Sequence, residues 1–200
     1  MGRKSSDKIR IKNKKKLDEI VSKLKLVFSK HGTSKYTMDA IATEIGISKS
    51  TLYQYFSNKD EMVDAVFDAF VNEINLIKEI IHQNKITYKQ RYIDFIAAFS
   101  KFYSNISISF LKDIIQYHPT IWQEIKNINK TFSEIGNQFY KDGVAAGEFN
   151  EIGINAIKNT DQYLISILSN IDFLEQNNLT IQNIFDNYYQ LKLNAILKDK

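Results

Sequence analysis

Cysteine is absent from the 200 residues, which excludes a disulfide framework, cysteine-ligated zinc, iron–sulfur clusters and thiol catalysis. Proline occurs once, at Pro119, and glycine seven times, so helix breakers are few. No run approaches the roughly 18 apolar residues that a membrane-spanning helix needs. The basic N-terminus leads into Leu17–Phe28, but Asp18, Glu19, Lys23 and Lys25 interrupt that stretch, so it lacks the apolar segment of an export signal. A cytoplasmic protein with no membrane partner is expected. His31, His82 and His118 lie far apart and share no His-x-x-x-His spacing, so neither a metal site nor a cofactor is expected. Phosphate-loop glycines, a Gly-x-Ser-x-Gly elbow and a carboxylate pair flanked by cleft signals are all missing, and the chain does not read as an enzyme.

What is present is an ordered, globular composition, 44% hydrophobic and 25% charged. Its charge is divided unevenly. Residues 1–60 hold 14 Lys and Arg against 6 Asp and Glu, a net of +8, whereas residues 61–200 hold 13 against 17, a net of −4. One end of the chain suits a polyanion and the rest does not.

Apolar residues recur at three-four spacing throughout, so the chain reads as all-α with about nine helices. A basic tail at residues 1–14 precedes a first helix whose stripe is Leu17, Ile20, Val21, Leu24, Val27 and Phe28. Gly32 is placed as its left-handed cap. Thr37 opens a short helix ended by Gly46, and Ser48 opens another that runs to about Phe56. Ser57 and Asn58 cap a long fourth helix over about 59–82, with Asp60 and Glu61 in its first turn. Further helices are expected at about 88–104, 107–117, 119–146, 152–176 and 180–198. This organisation gives an N-terminal unit at residues 15–60 and a larger helical domain at 61–200, joined through the fourth helix.

Residues 37–56, two short helices around a turn containing Gly46, form a helix-turn-helix, an arrangement used to bind DNA. Glycine allows the positive φ of a tight turn. Ile41, Ala42, Ile47, Leu52 and Phe56 can lock the two helices at a fixed angle. Residues 47–56 carry one lysine and no acid, where a carboxylate would repel phosphate, while hydroxyls and an amide suit base edges and backbone. Tyr53 and Tyr55, two residues apart, cannot share one helix face, so at least one is expected to be exposed.

The run Thr37-Met-Asp-Ala-Ile-Ala-Thr-Glu-Ile-Gly-Ile-Ser-Lys-Ser-Thr-Leu-Tyr-Gln-Tyr-Phe-Ser-Asn-Lys-Asp-Glu-Met resembles the TetR-family DNA-binding domain, as does the upstream Phe28-Ser-Lys-His-Gly32. The likeness spans about residues 15–65. It implies that Thr37 places a helix N-terminus on a phosphate and that Ser48 caps the recognition helix and touches the DNA backbone. By the same likeness Lys49, Ser50 and Thr51 approach bases in the major groove. Tyr53 would meet a base or phosphate, and Tyr55 and Lys59 would each hold a phosphate. Gln54 joins them on chemical grounds, since glutamine can pair bidentately with adenine. The chain departs from the pattern at Ser50, where the family often has glycine, and at Lys23-Leu24, where it favours paired alanines.

Helix-turn-helix proteins usually bind as dimers to half-sites about 34–36 Å apart or multiples of it. Two C-terminal stripes, which include Ile157, Ile165, Leu168, Ile184, Tyr188 and Leu191, could close the protomer's own core or pair with a second copy. The resemblance implies a four-helix bundle across a two-fold axis, hence a homodimer on a palindromic double-stranded operator. The aromatic-rich helices between about 88 and 146 also serve a core, and the resemblance implies a small-molecule pocket among them. Tyr103, Tyr117, His118, Trp122 and Tyr163 are its candidate polar contacts, each a large ring with a polar tip. The expected function is a sequence-specific transcriptional regulator, a repressor released by a largely apolar or aromatic ligand. A nonspecific architectural DNA binder and an all-helical enzyme are the alternatives.

Overall fold

The computed structural model describes residues 13–198, without the side chains of Ile154 and Ile165. Nearly all of the basic tail predicted at residues 1–14 lies outside the described residues. Ten helices follow in order: α1 Lys14–His31, α2 Met38–Glu44, α3 Lys49–Tyr55, α4 Lys59–Glu79, α5 Tyr88–Tyr103, α6 Ile108–Tyr117, α7 Pro119–Ala145, α8 Ile154–Ser169, α9 Ile171–Gln176 and α10 Ile181–Ile196. Among the described residues there is no strand beyond an isolated bridge between Phe149 and Leu197, and no helix is long and apolar enough to cross a membrane.

Local signals place most of the helix starts. Side chains of Asn13, Thr37, Ser48, Asn58, Thr87, Ser107, Asn170 and Thr180 each accept a backbone N–H of the first turn. Pro119 stands at the first position of α7, where its missing N–H costs nothing. Gly32 has φ +81° but ψ 178°, so it ends α1 with a positive φ outside the left-handed helical well predicted for it.

The predicted single helix over 152–176 is two helices, so the described residues hold ten rather than nine. The break is at Asn170, whose side chain accepts from Phe173 N at 3.1 Å and starts α9 afresh. In an unbroken helix Leu174 would sit about 120° around the axis from Leu168, off the buried stripe of α8. The break turns Leu174 inward, where it is completely buried, and α9 packs on α6 and α8.

The head of the molecule is α1–α3 with the first turns of α4. Ile20, Leu24 and Phe28 meet Ile41, Ala42, Leu52 and Met62, all essentially inaccessible to solvent. Leu24 thus takes a core place, and the neighbouring Lys23 donates to the Ile45 carbonyl at 2.9 Å. The body is α5–α10 around the remainder of α4, with α4 running from one part into the other. Gly143 on α7 permits a close approach there: a Cβ would lie 2.2 Å from the Phe149 ring. The Tyr140 hydroxyl lies 2.8 Å from the carbonyls of both Asn150 and Ile152, and Asn150 N donates to Ile196 O at 2.7 Å, which ties the α7–α8 connection to the end of α10.

Candidate nucleic-acid interface and interior cavity

The unit at residues 37–56 is built from caps and a glycine turn. Thr37 Oγ1 accepts from Ala40 N at 3.2 Å and fixes the start of α2. At its end Ile47 N donates to Ala42 O at 3.0 Å and Gly46 N to Thr43 O at 3.1 Å, with Gly46 at φ +70°. That pair of bonds is a Schellman closure, and it requires the glycine. Ser48 Oγ then accepts from Thr51 N at 3.0 Å to open α3. Ile41, Ala42, Ile45 and Leu52 are buried between the two helices and set their angle.

Ser48, Lys49, Ser50, Tyr53 and Gln54 are exposed, with Thr51 and Tyr55 half-buried beside them. No acid lies on α3. Ser48 Oγ stands 2.9 Å from Ser50 Oγ and 2.8 Å from Thr51 Oγ1, so three hydroxyls cluster at the helix start. Lys49 is not an unattached cation, because its ammonium is paired with the Asp39 carboxylate on α2. Lys59 reaches back to the Tyr36 carbonyl at 3.4 Å and is half-buried. Tyr55 packs partly against the core and Tyr53 is 44% exposed, in line with the face argument.

The body encloses a cavity of about 430 Å³ between α5, α7, α8 and α10, within the size range of small-molecule sites. Phe95, Phe99, Phe132, Phe139, Phe149 and Phe185 form much of its wall. A smaller one of about 100 Å³ lies between α4, α5, α6 and α7. Tyr103 lines both and stacks on Phe185 with ring centroids 3.7 Å apart. Trp122 lines the smaller one.

The other three candidate rings are elsewhere. Tyr117 and Tyr163 are 55% and 73% exposed and line neither cavity. On α8 it is the adjacent Leu164 that turns inward, so Tyr163 points away. His118 caps the α6–α7 joint, with Nδ1 4.0 Å from the Asp60 carboxylate at the head of α4. A ring with a polar tip signals a pocket only if its helix phase faces inward, and phase over long amphipathic helices was not readable there.

Sequence reasoning missed the polar groups that do face the larger cavity: Tyr92, Asn137, Asp161, Tyr189 and Lys192. Asp161 is bound by the Tyr188 hydroxyl and by Lys192 at 2.7 Å. Burial pushes the hydroxyls of Tyr92, Tyr103, Tyr188 and Tyr189 above the usual tyrosine range, so they stay protonated donors at neutral pH. Asn137 left one trace, an amide in phase with the inward Ser133 and Tyr140 of α7. Asp113 left a similar trace, an acid three residues after Phe110 on the inner face of α6. It is buried, and its Oδ2 accepts from Thr33 N at 2.6 Å and Ser34 N at 2.8 Å, in the segment that leads to α2.

Of the candidate dimer residues, Ile157 and Leu168 are 6% and 7% exposed and belong to the protomer's own core. Ile184 and Tyr188 are half-buried, Leu191 is 72% exposed, and the Ile165 side chain lies outside the described residues. Among the described residues no cluster of acids and histidines could hold a metal ion.

Head and body together define a helix-turn-helix protein with a hollow all-helical body. Residues 20–66 match the family model for bacterial regulatory proteins of the tetR family. An HTH-type transcriptional regulator of Bacillus subtilis (strain 168), YvaF, is 28% identical over 88 residues, which are 44% of this chain and 46% of that protein. The chain thus matches less than half the length of this curated relative. Among solved structures, a TetR transcriptional regulator from Chloroflexus aurantiacus has a TM-score of 0.64 at 12% identity, over 91% of this chain and 96% of its own. The transcriptional regulator FadR from Bacillus subtilis, solved with stearoyl-CoA, has a TM-score of 0.57 at 19% identity, over 88% of this chain and 96% of its own. The N-terminal unit is therefore a tetR-family unit, as the motif from Thr37 to Met62 implied, and the whole chain has the TetR-type fold. These relatives are transcriptional regulators.

Proposed function

We propose that the chain is a sequence-specific DNA-binding transcriptional regulator that works as a homodimer and is a repressor released by a small, largely apolar ligand in the body. The observation that carries the DNA reading is the exposed, acid-free face of α3, presented by a Schellman turn within the stretch that matches the tetR family. On this reading Lys49, Ser50, Thr51 and Gln54 approach base edges, with Tyr53 beside them. Thr37, Ser48, Tyr55 and Lys59 hold backbone phosphates. Bulk positive charge supplies attraction, and hydroxyls, the amide and helix ends supply register.

A route from cavity to reader exists in α6. Phe110, Leu111 and Ile114 line the smaller cavity, while Asp113 grips Thr33 and Ser34 and Ser107 N donates to Ser29 O at 2.8 Å. A ligand that shifts α6 would move the head with it. It releases DNA only if it binds the two arrangements with different affinity.

Selection of bound sequences from random duplex DNA by the purified full-length chain tests the function. The expected result is an enriched palindrome with half-sites about one helical turn apart or a multiple of it. Absence of enrichment overturns the reading.

A further inference from the structure

The larger cavity has a chemical gradient along α7. Lys126 and Lys130 line it at exposed positions, and Asn137 lines it where the protein is nearly closed, at 7% exposure. At 1.5 Å per residue, Asn137 lies about 10 Å along the helix from Lys130 and about 16 Å from Lys126. Lys158 of α8 lines the same cavity and is also exposed. None of these three lysines is in an ion pair among the described residues.

Two carboxylates line the cavity as well, Glu134 and Asp161. Asp161 is already neutralised by Lys192 and bound by Tyr188. The unpaired charges therefore favour an anion over a cation by three lysines to one glutamate. Deeper in, Asn137 Oδ1 and the Tyr92 hydroxyl are buried with no hydrogen-bond partner. Such groups cost stability when left unmade, and both line the cavity, so they await an oxygen function on whatever fills it. Much of the remaining wall is apolar and rich in phenylalanine.

We infer that the cavity takes an amphipathic anion: a carboxylate at the lysine end, an apolar chain along the phenylalanine-rich wall, and a hydroxyl at the inner end, which donates to Asn137 Oδ1 and accepts from the Tyr92 hydroxyl. This rests on the reading of the body as a ligand domain and names the ligand class of that site. The structure selects against lipophilic amines, whose ammonium would face Lys126, Lys130 and Lys158. It also distinguishes a plain fatty acid from one hydroxylated far from its carboxylate, because only the latter satisfies both buried polar groups.

The test is calorimetric titration of the full-length protein with four compounds of one chain length, each below its micelle concentration: dodecanoate, 12-hydroxydodecanoate, dodecan-1-ol and dodecylamine. Dodecanoate is expected to bind about tenfold more tightly than dodecylamine, and 12-hydroxydodecanoate about tenfold more tightly than dodecanoate, as one further buried hydrogen bond allows. Lys126→Glu with Lys130→Glu removes the preference for the carboxylate and leaves dodecan-1-ol binding unchanged. Asn137→Leu removes the gain from the hydroxyl while dodecanoate still binds, and Tyr92→Phe, which keeps the ring, reports the same loss if Asn137→Leu fails to fold. The inference falls if dodecylamine binds as well as dodecanoate, if no compound binds, or if the hydroxyl gain survives in Tyr92→Phe. Operator affinity measured on the same samples separates the two claims. Selective binding with unchanged operator affinity upholds the ligand class and removes the effector role.

Discussion

Lys49 would be the cation closest to the bases, yet its ammonium is held by Asp39, one helix away. Both side chains are more than a third exposed, so the pair adds little to stability, about 0–1 kcal/mol. Its effect is on availability. Asp39→Asn should release Lys49 and strengthen operator binding several-fold at low salt. Unchanged operator affinity would show that the pair with Asp39 does not limit the reach of Lys49 to the bases. The tyrosines whose hydroxyls are pushed up by burial, Tyr92, Tyr103, Tyr188 and Tyr189, give a second expectation at this scale. Their hydroxyls hold protons in the folded state that an unfolded chain releases near pH 10. A raised folded value means the contribution is whole below the unfolded value and is lost as pH rises beyond it. Thermal melts should therefore be flat from pH 7 to about pH 9 and fall steeply above about pH 10. Tyr103→Phe with Tyr189→Phe should make that fall shallower. An equal fall in both proteins would refute the assignment to these rings.

At the level of single helices, legibility followed the range of the interaction. The recognition unit was readable because its determinants are local: Thr37, Ser48 and Asn58 cap helices within three residues, and Gly46 makes its turn within five. The break at Asn170 was not, because it depends on Leu174 reaching a core formed by other helices. The cavity wall was unreadable for the same reason. Asn137 looked like an ordinary polar residue until α5, α8 and α10 closed over it, and Tyr117 and Tyr163 looked useful until their phase was fixed. Helix α6 joins the two regimes through Asp113, whose carboxylate satisfies the Thr33 and Ser34 N–H groups. Asp113→Ala leaves the buried Thr33 N–H without a partner, at about 1–3 kcal/mol. Gly32→Ala attacks the same latch from the other side, since φ is +81° there and its Cβ would lie 2.5 Å from Asp113 Oδ2. Both variants should melt earlier than the parent, and in both the ligand should lose its influence on operator affinity. Retention of that influence would show that α6 does not carry the signal by this contact.

For the whole molecule, the proposed homodimer raises the question of which surface carries its two-fold axis. The apolar stripes of α8 and α10 divide between inside and outside: Ile157 and Leu168 fill the core, while Leu191 and Tyr163 stand 72% and 73% exposed. Large exposed apolar residues on two helices that pack together suit an isologous interface, in which each copy presents the same patch. Leu191→Arg puts an unpaired charge at that contact without touching the folded core. Sedimentation should then show a monomer with the parent's helical content, and operator affinity should fall by orders of magnitude, because one reader alone spans one half-site. Ile157→Arg is the contrasting change. It places the same charge inside the protomer, so it should destabilise the fold itself rather than dissociate intact copies. If Leu191→Arg remains a dimer that binds the operator normally, the axis passes elsewhere, and the exposed Leu76 of α4 becomes the next residue to change.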